Sequence, residues 1–323
     1  MRGTIFHAGD KLLIKVPRMR YGQDFKSIIE EARNLVTQGA SVVLALDERQ
    51  EMVIEDFKFD IDKPFNIRKF SDVEDGVDML LSEFASEISQ VIVLTRKGGI
   101  VNKHNERVMS FLTFDNITDI LKGEKPKVHL DERDDRHLKR ATKMLASVDK
   151  LAIVNADNFK PEMDYVLGGG TLCVKEIRDL EMEKLKKDEY WIFEEVYNNH
   201  TKKGFWREKN LEQKKETMDN HFLFKGTDLV LGGFTALARS NNWYEITNFW
   251  AQYRGNGLGN ILMQEVKNLY PKHFLFCKKD NLISQEFFAK NGLVEVDKSV
   301  LNFDTLCSEG AKCMIFESNR NWL

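Results

Sequence analysis

Along the first half of the chain, short unbroken apolar runs alternate with longer stretches in which apolar residues recur every third or fourth position. Residues 11–16, 41–46, 91–95 and 151–155 are rich in Val, Ile and Leu, the pattern of strands buried on both faces. Residues 25–38, 73–88 and 129–147 carry the period of amphipathic helices, the last of them densely charged. Strand, helix, strand in this order predicts an α/β unit with a parallel sheet and crossover helices, with short turns and a further helix over residues 101–128. Consecutive glycines at 168–170 break the pattern, and a boundary placed just beyond them gives units of 1–172 and 173–323. A length of 323 residues fits about two domains.

In the second half, residues 244–250 are aromatic and β-branched, as a buried strand would be, while Leu258, Ile261, Leu262, Val266 and Leu269 recur at helical spacing. Between them stands Gln252-Tyr253-Arg254-Gly255-Asn256-Gly257-Leu258-Gly259, with glycine at every second position at its end. Glycine allows positive φ and close approach to a ligand, and the free N–H groups of a helix's first turn face an anion along the favourable end of the dipole. A pyrophosphate fits such a turn. No Gly-Lys-Ser/Thr follows and the spacing is not Gly-x-Gly-x-x-Gly, which sets aside the triphosphate loop and the dinucleotide fingerprint.

The pattern Gln-x-x-Gly-x-Gly resembles the acetyl-CoA loop of the GNAT family of N-acetyltransferases. Residues 281–293, in which Asn281 opens a helix that ends in Phe288, Lys290, Gly292 and Leu293, resemble that family's second signature. The resemblance implies a C-terminal GNAT α/β domain. Backbone N–H groups of Arg254, Gly255, Asn256, Gly257, Leu258 and Gly259 would hold the pyrophosphate behind Gln252, and the strand edge Asn248, Phe249 and Trp250 would pair with the pantetheine arm. Asn281 would contact the same arm or cap its helix, roles of equal standing. Phe288 stands where many members place a tyrosine that protonates the leaving thiolate, so no acid is assigned.

Residues 91–100 followed by Leu112 and Thr113, and residues 141–155 leading to 169–171, resemble the amino-acid kinase fold. Where that family carries glycines against phosphate, this chain has Pro17-Arg18 and Asp47-Glu48-Arg49, and Arg96 replaces the usual Asp. Pro17 lacks a donor and the carboxylates repel phosphate, so a degenerate kinase-like domain without phosphoryl transfer is expected. A degenerate kinase-like domain ahead of a GNAT domain is similar to the acetylglutamate synthase family, which opens arginine biosynthesis. That likeness implies acetyl-CoA as co-substrate, the α-amine of L-glutamate as acceptor, arginine as a candidate effector and a homo-oligomer.

Acetyl transfer to an amine needs a base for the ammonium and cations for the acceptor's carboxylates. Glu245 is the base candidate, sharing a strand face with Thr247 and Phe249 by alternation; a solvated strand carboxylate is the competing reading. Lys278, Lys279 and Arg239, at predicted strand ends, are the candidate acceptor contacts, or else ordinary strand-end charges. Another amine acceptor, a succinyl donor, or a non-catalytic sensor of CoA esters or arginine are the alternatives.

A net charge of −3 with 42% hydrophobic residues lacks the basic excess of a nucleic-acid binder. No apolar run is long enough to span a membrane, and the first residues lack a signal-peptide core, so the cytoplasm is the expected location and no membrane is expected as partner. Cys173, Cys277, Cys307 and Cys313 show no paired spacing and the histidines are scattered, so reduced thiols and no metal are expected.

Overall fold

The computed structural model describes residues 9–17, 22–49, 64–84, 86–104, 107–156, 170–226, 229–252, 257–297, 299 and 311–316. The chain divides into compact units of residues 1–177 and 178–323.

In the first unit, β1 (Lys11–Lys15), α1 (Gly22–Thr37), β2 (Ser41–Asp47), β3 (Phe65–Phe70), α2 (Val73–Phe84) and β4 (Gln90–Thr95) alternate as the apolar runs predict. The short strands β5 (Val101–Asn102), β6 (Arg107–Val108) and β7 (Phe111–Thr113) follow, then α3 (Phe114–Leu121), α4 (Glu132–Leu145), β8 (Lys150–Asn155) and β9 (Thr171–Val174). The seven-stranded sheet has the order β3-β2-β1-β4-β8-β9-β7 and is parallel throughout except where β9 runs against β8. Side chains at 0–5% exposure, among them Leu13, Val77, Val91, Val93, Leu138, Leu145 and Ile153, pack helices α2 and α4 onto this sheet. The helix starts are fixed by side chains: Thr113 accepts from Asn116 N–H and Asp131 from Asp134 N–H.

The strand Phe65–Phe70 escapes prediction because its sequence, Phe-Asn-Ile-Arg-Lys-Phe, is half polar and lies at the sheet edge. The division after Ile177 falls beyond the expected boundary at 172, because β9 closes the first sheet and puts Cys173 in its core at 0% exposure. Gly168 and Gly169 lie outside the described residues.

The second unit holds β10 (Glu181–Lys184), α5 (Tyr190–Lys202), α6 (Leu211–Asp219), β11 (His221–Gly226), β12 (Leu229–Ala238), β13 (Tyr244–Ala251), α7 (Leu258–Leu269), β14 (His273–Lys278), α8 (Leu282–Lys290), β15 (Leu293–Val296) and β16 (Ala311–Phe316). Its sheet order is β10-β11-β12-β13-β14-β16-β15, and β13 against β14 is its one parallel pair among the described residues. No helix among the described residues is long and apolar enough to cross a membrane.

Candidate active site

The parallel pair is where the second sheet comes apart. β13 and β14 register only through Tyr244↔His273, Glu245↔Phe274 and Ile246↔Leu275. Beyond Ile246, among the described residues, β13 continues against β12 alone, with Thr235↔Thr247, Gly233↔Trp250 and Gly232↔Ala251, while Phe276 to Lys278 of β14 pair with β16 alone. Among the described residues, the facing edges of Asn248–Ala251 and Phe276–Cys277 have no strand between them, and main-chain groups along such an edge demand partners. An extended ligand with its own amides has the donors and acceptors to meet them.

The parting is built into β13 and its neighbour. The register slips between Gly233 and Thr235, and opposite this bulge Asn248 adopts φ 50, a left-handed conformation that Asn tolerates better than most residues. The glycines of β12 let the backbones close in: a Cβ on Gly233 would lie 2.6 Å from Phe222 O and 2.8 Å from both His221 Nε2 and Trp250 Nε1. That closeness lets the buried Trp250 indole donate to His221 Nε2 at 3.3 Å, while His221 Nδ1 meets Thr235 Oγ1 at 2.9 Å. The Trp250 ring is therefore core, and only its main chain borders the gap.

Helix α7 begins just past the open end of β13. Gly257, at φ 83, precedes it and contributes no side-chain cap, and the N–H of Gly259 falls in the helix's first turn, which has no preceding helical turn to supply a carbonyl. Leu258, Leu262, Met263 and Val266 anchor the helix at 0–1% exposure, and a Cβ on Gly259 would come 3.0 Å from the Phe287 ring. Arg254, Gly255 and Asn256 lie outside the described residues. Gln252 is held by its own N–H to Leu231 O at 2.9 Å.

The remaining predicted residues fall into four groups. On one face of β13, Phe249 meets Phe287 at 5.7 Å and Phe288 at 5.9 Å between ring centroids, an apolar wall with Phe288 7% exposed. Asn281 caps α8, its Oδ1 accepting from Ser284 N–H at 3.2 Å. Glu245 and Arg239, expected in separate roles, are partners: Glu245 Oε2 accepts from Arg239 Nε at 3.0 Å and Nη2 at 2.6 Å, with Glu245 5% exposed. Lys278 Nζ donates to Gly204 O, and the exposed Lys279 follows it.

The structure also brings in a segment that the sequence does not single out. Residues 204–210 reach both sides of the gap: Gly204 through Lys278, and Lys209 through Asn248, to whose Oδ1 its ammonium donates at 2.6 Å. Tyr197 pins this loop, accepting from Lys209 N–H at 2.7 Å and donating to Arg207 O at 3.0 Å. Burial pushes Lys209 down to about 8, opposed by the Glu245 carboxylate and aided by Arg207. It likewise pushes His221 down to about 3, with Lys209 adding to the shift, and raises the Cys277 thiol to about 11, which keeps it protonated. Asn210 and Gln213 form a capping box that marks where α6 begins, but nothing in the run around Lys209 separates it from neighbouring lysines. Among the described residues no group of side chains could hold a metal ion.

Residues 182–293 match the family model described as Acetyltransferase (GNAT) family. The second unit carries a GNAT domain. Among solved structures, N-acetylglutamate synthase from Neisseria gonorrhoeae complexed with coenzyme A and L-arginine is similar over 96% of each chain, at 11% identity and a TM-score of 0.47. The same synthase complexed with coenzyme A and N-acetyl-glutamate is similar over 95% of each chain, at 12% identity and 0.39. A GNAT-family acetyltransferase from Staphylococcus aureus Mu50 covers 42% of this chain and 97% of its own, at 13% identity and 0.36. No curated protein matches this chain. The matched span of the GNAT domain contains the parting strands, the Gly257 turn and the loop 204–210.

Proposed function

We propose that the second unit moves an acetyl group from acetyl-CoA to the α-amine of an amino acid, L-glutamate first, the opening reaction of arginine biosynthesis. The parting of β13 from β14 directly ahead of an uncapped helix start, within residues that match the GNAT family, carries this reading. The pantetheine amides would enter the gap between Asn248–Ala251 and Phe276–Cys277. The pyrophosphate would rest at the start of α7, on the N–H groups of Gly257 and Gly259, with Arg254, Gly255 and Asn256 completing the turn. An unused N–H at the open edge of β13 would take the charge that develops on the thioester oxygen, without needing any side chain. The apolar pair Phe249 and Phe288 would line the thioester and offer no proton, which a thiolate of pKa near 8.5 tolerates.

The cations at the tip of β14, Lys278 and Lys279, support an acceptor with carboxylates. The first unit, we infer, transfers no phosphate, since Lys15 is ion-paired to Glu74 and Asp47 is held by Arg49. The test is turnover: purified full-length chain with acetyl-CoA is expected to release thiol when L-glutamate is added and not before, with no response to ATP. Release with other amines but not with glutamate would overturn the acceptor, and release with none would overturn the enzyme.

A further inference from the structure

Lys209 is a half-buried lysine that this reaction scheme leaves without a task. Its Nζ donates to Asn248 Oδ1 at 2.6 Å and to Thr217 Oγ1 at 2.8 Å. Both acceptors are neutral. The Thr217 hydroxyl spends its own hydrogen on Gln213 O at 2.7 Å, so it can only accept from the lysine, and Asn248 Oδ1 also receives Thr247 Oγ1 at 3.4 Å. A neutral amine has two hydrogens and one lone pair, so these acceptors satisfy both hydrogens and leave the lone pair as its unused function. An ammonium in the same place has a third hydrogen that neither Asn248 nor Thr217 accepts, and partial burial disfavours its charge.

The charged and titratable groups around it come from several elements. Glu245 of β13 and Glu216 of α6 favour the charged form, while Arg207 of its own loop and Arg239 at the end of β12 oppose it. The neutral His221 of β11 lies within its field. Its main chain is fixed by Tyr197, and its tip touches the left-handed Asn248 at the point where β13 leaves β14. Glu245, meanwhile, has its buried Oε2 filled by two guanidinium N–H groups.

We propose that Lys209, as a neutral amine at the mouth of the strand gap, takes the proton from the acceptor's ammonium, the role that the sequence suggests for Glu245. The inference rests on the acetyl-transfer reading above. The acceptor R–NH3⁺ gives one proton to the Lys209 lone pair, and the freed nitrogen attacks the thioester carbonyl carbon. The N–C bond forms, the C–S bond breaks with its electron pair leaving on sulfur, and the second nitrogen proton passes to the thiolate. Lys209 then returns its proton to water. A lysine pushed to about 8 by burial is neutral often enough at physiological pH to serve in this way.

The test is kcat against pH for the full chain at saturating acetyl-CoA and acceptor. The wild type is expected to rise about tenfold per pH unit and to level off near 8, the value to which Lys209 is pushed. Lys209→Arg keeps the charge but cannot titrate, so kcat should fall by about 100-fold or more and lose the bend, with the KM for acetyl-CoA unchanged. Glu245→Gln should keep the bend. A wild-type bend in Lys209→Arg, or its loss in Glu245→Gln alone, overturns the assignment while leaving acetyl transfer standing. Absence of thiol release with every amine overturns both. Independently of turnover, 13C-methyl labelling of lysines with NMR titration should show Lys209 changing charge near 8, and titration near the ordinary 10.5 overturns the proposal.

Discussion

The two sheets of this chain treat the same kind of position in opposite ways. In the first, the chain runs from β1 outward to β2 and β3 and then returns to β4 on the other side of β1. Ligands of open α/β sheets bind at such a reversal, beyond the carboxyl ends of the strands. Here that place is filled by the protein's own charges. Lys15, the last residue of β1, is ion-paired with Glu74 of α2, which also holds Arg140 of α4, and burial, aided by Lys15 and Arg133, pushes the half-buried His137 below the ordinary imidazole range. At the end of β2, Asp47 is 8% exposed and accepts from Arg49 Nε at 2.9 Å and Nη2 at 2.6 Å. The second sheet does the reverse, parting after Ile246 and starting a helix at an uncapped glycine. A sheet becomes a binding site by leaving polar groups unspent, and it stops being one when side chains pair off among themselves.

The sharpest way to break this contrast is one substitution in each crevice. Gly257→Val places a branched residue at φ 83, where only glycine is comfortable, and puts its methyls into space that is open around the Cα. Acetyl-CoA binding, followed by calorimetry, is expected to weaken by about 100-fold or more, a loss of about 3 kcal/mol. Pro17→Gly, just past the end of β1 in the first unit, is expected to leave both acetyl-CoA affinity and thiol release unchanged. Equal damage from the two would erase the division of labour.

Gly233→Ala probes the closeness that shapes the gap without touching the phosphate end. Its Cβ would meet main chain on one side and the His221 and Trp250 ring nitrogens on the other, all within 2.8 Å. Backbone cannot yield as a flexible side chain would. The expected cost is about 2–3 kcal/mol, read as a lower thermal midpoint of the full chain.

How much of this was written plainly in the residues follows the same contrast. The long apolar runs placed β1, β2, β4 and β8, and the glycine spacing placed the turn before α7, because burial and positive φ leave local marks. β3 left none, being half polar at an edge. The pairing of Arg239 with Glu245, the inward turn of Trp250 and the approach of Lys209 to Asn248 join residues 6, 29 and 39 positions apart, and depend on a register slip that alternation alone cannot foresee. Strict alternation places Phe249 on the face of Glu245; the left-handed Asn248 lies between them, and Phe249 packs against α8.

Acid should strike the second sheet through His221. Its folded pKa, about 3, is depressed below the ordinary 6.5 because the buried ring is kept neutral. The unfolded chain therefore binds the extra proton, and stability is full above about 6.5 and declines as pH falls toward 3. Between pH 7 and pH 5 the loss from this group is about 2 kcal/mol. His273, depressed to about 4, has the same sign. Comparing denaturant midpoints at the two pH values, His221→Asn should remove its share of the loss; an unchanged pH dependence would show that the ring is solvated.

The smallest effect belongs to the crevice that is already filled. Glu74→Gln leaves Lys15, whose side chain is 10% exposed, and Arg140, at 33%, facing each other without the shared carboxylate. Because Glu74 is itself a third exposed, the cost falls well below that of a fully buried pair, at about 1 kcal/mol. Lys15 is already pushed down by burial, and losing Glu74 should lower it further, so the deficit shrinks as pH rises and the lysine sheds its proton. Denaturant unfolding of the variant at neutral and alkaline pH checks this, with acetyl-CoA affinity as the control. A variant more stable than the parent at neutral pH would mean that the triad is a strained vestige rather than the bond that closes the first crevice.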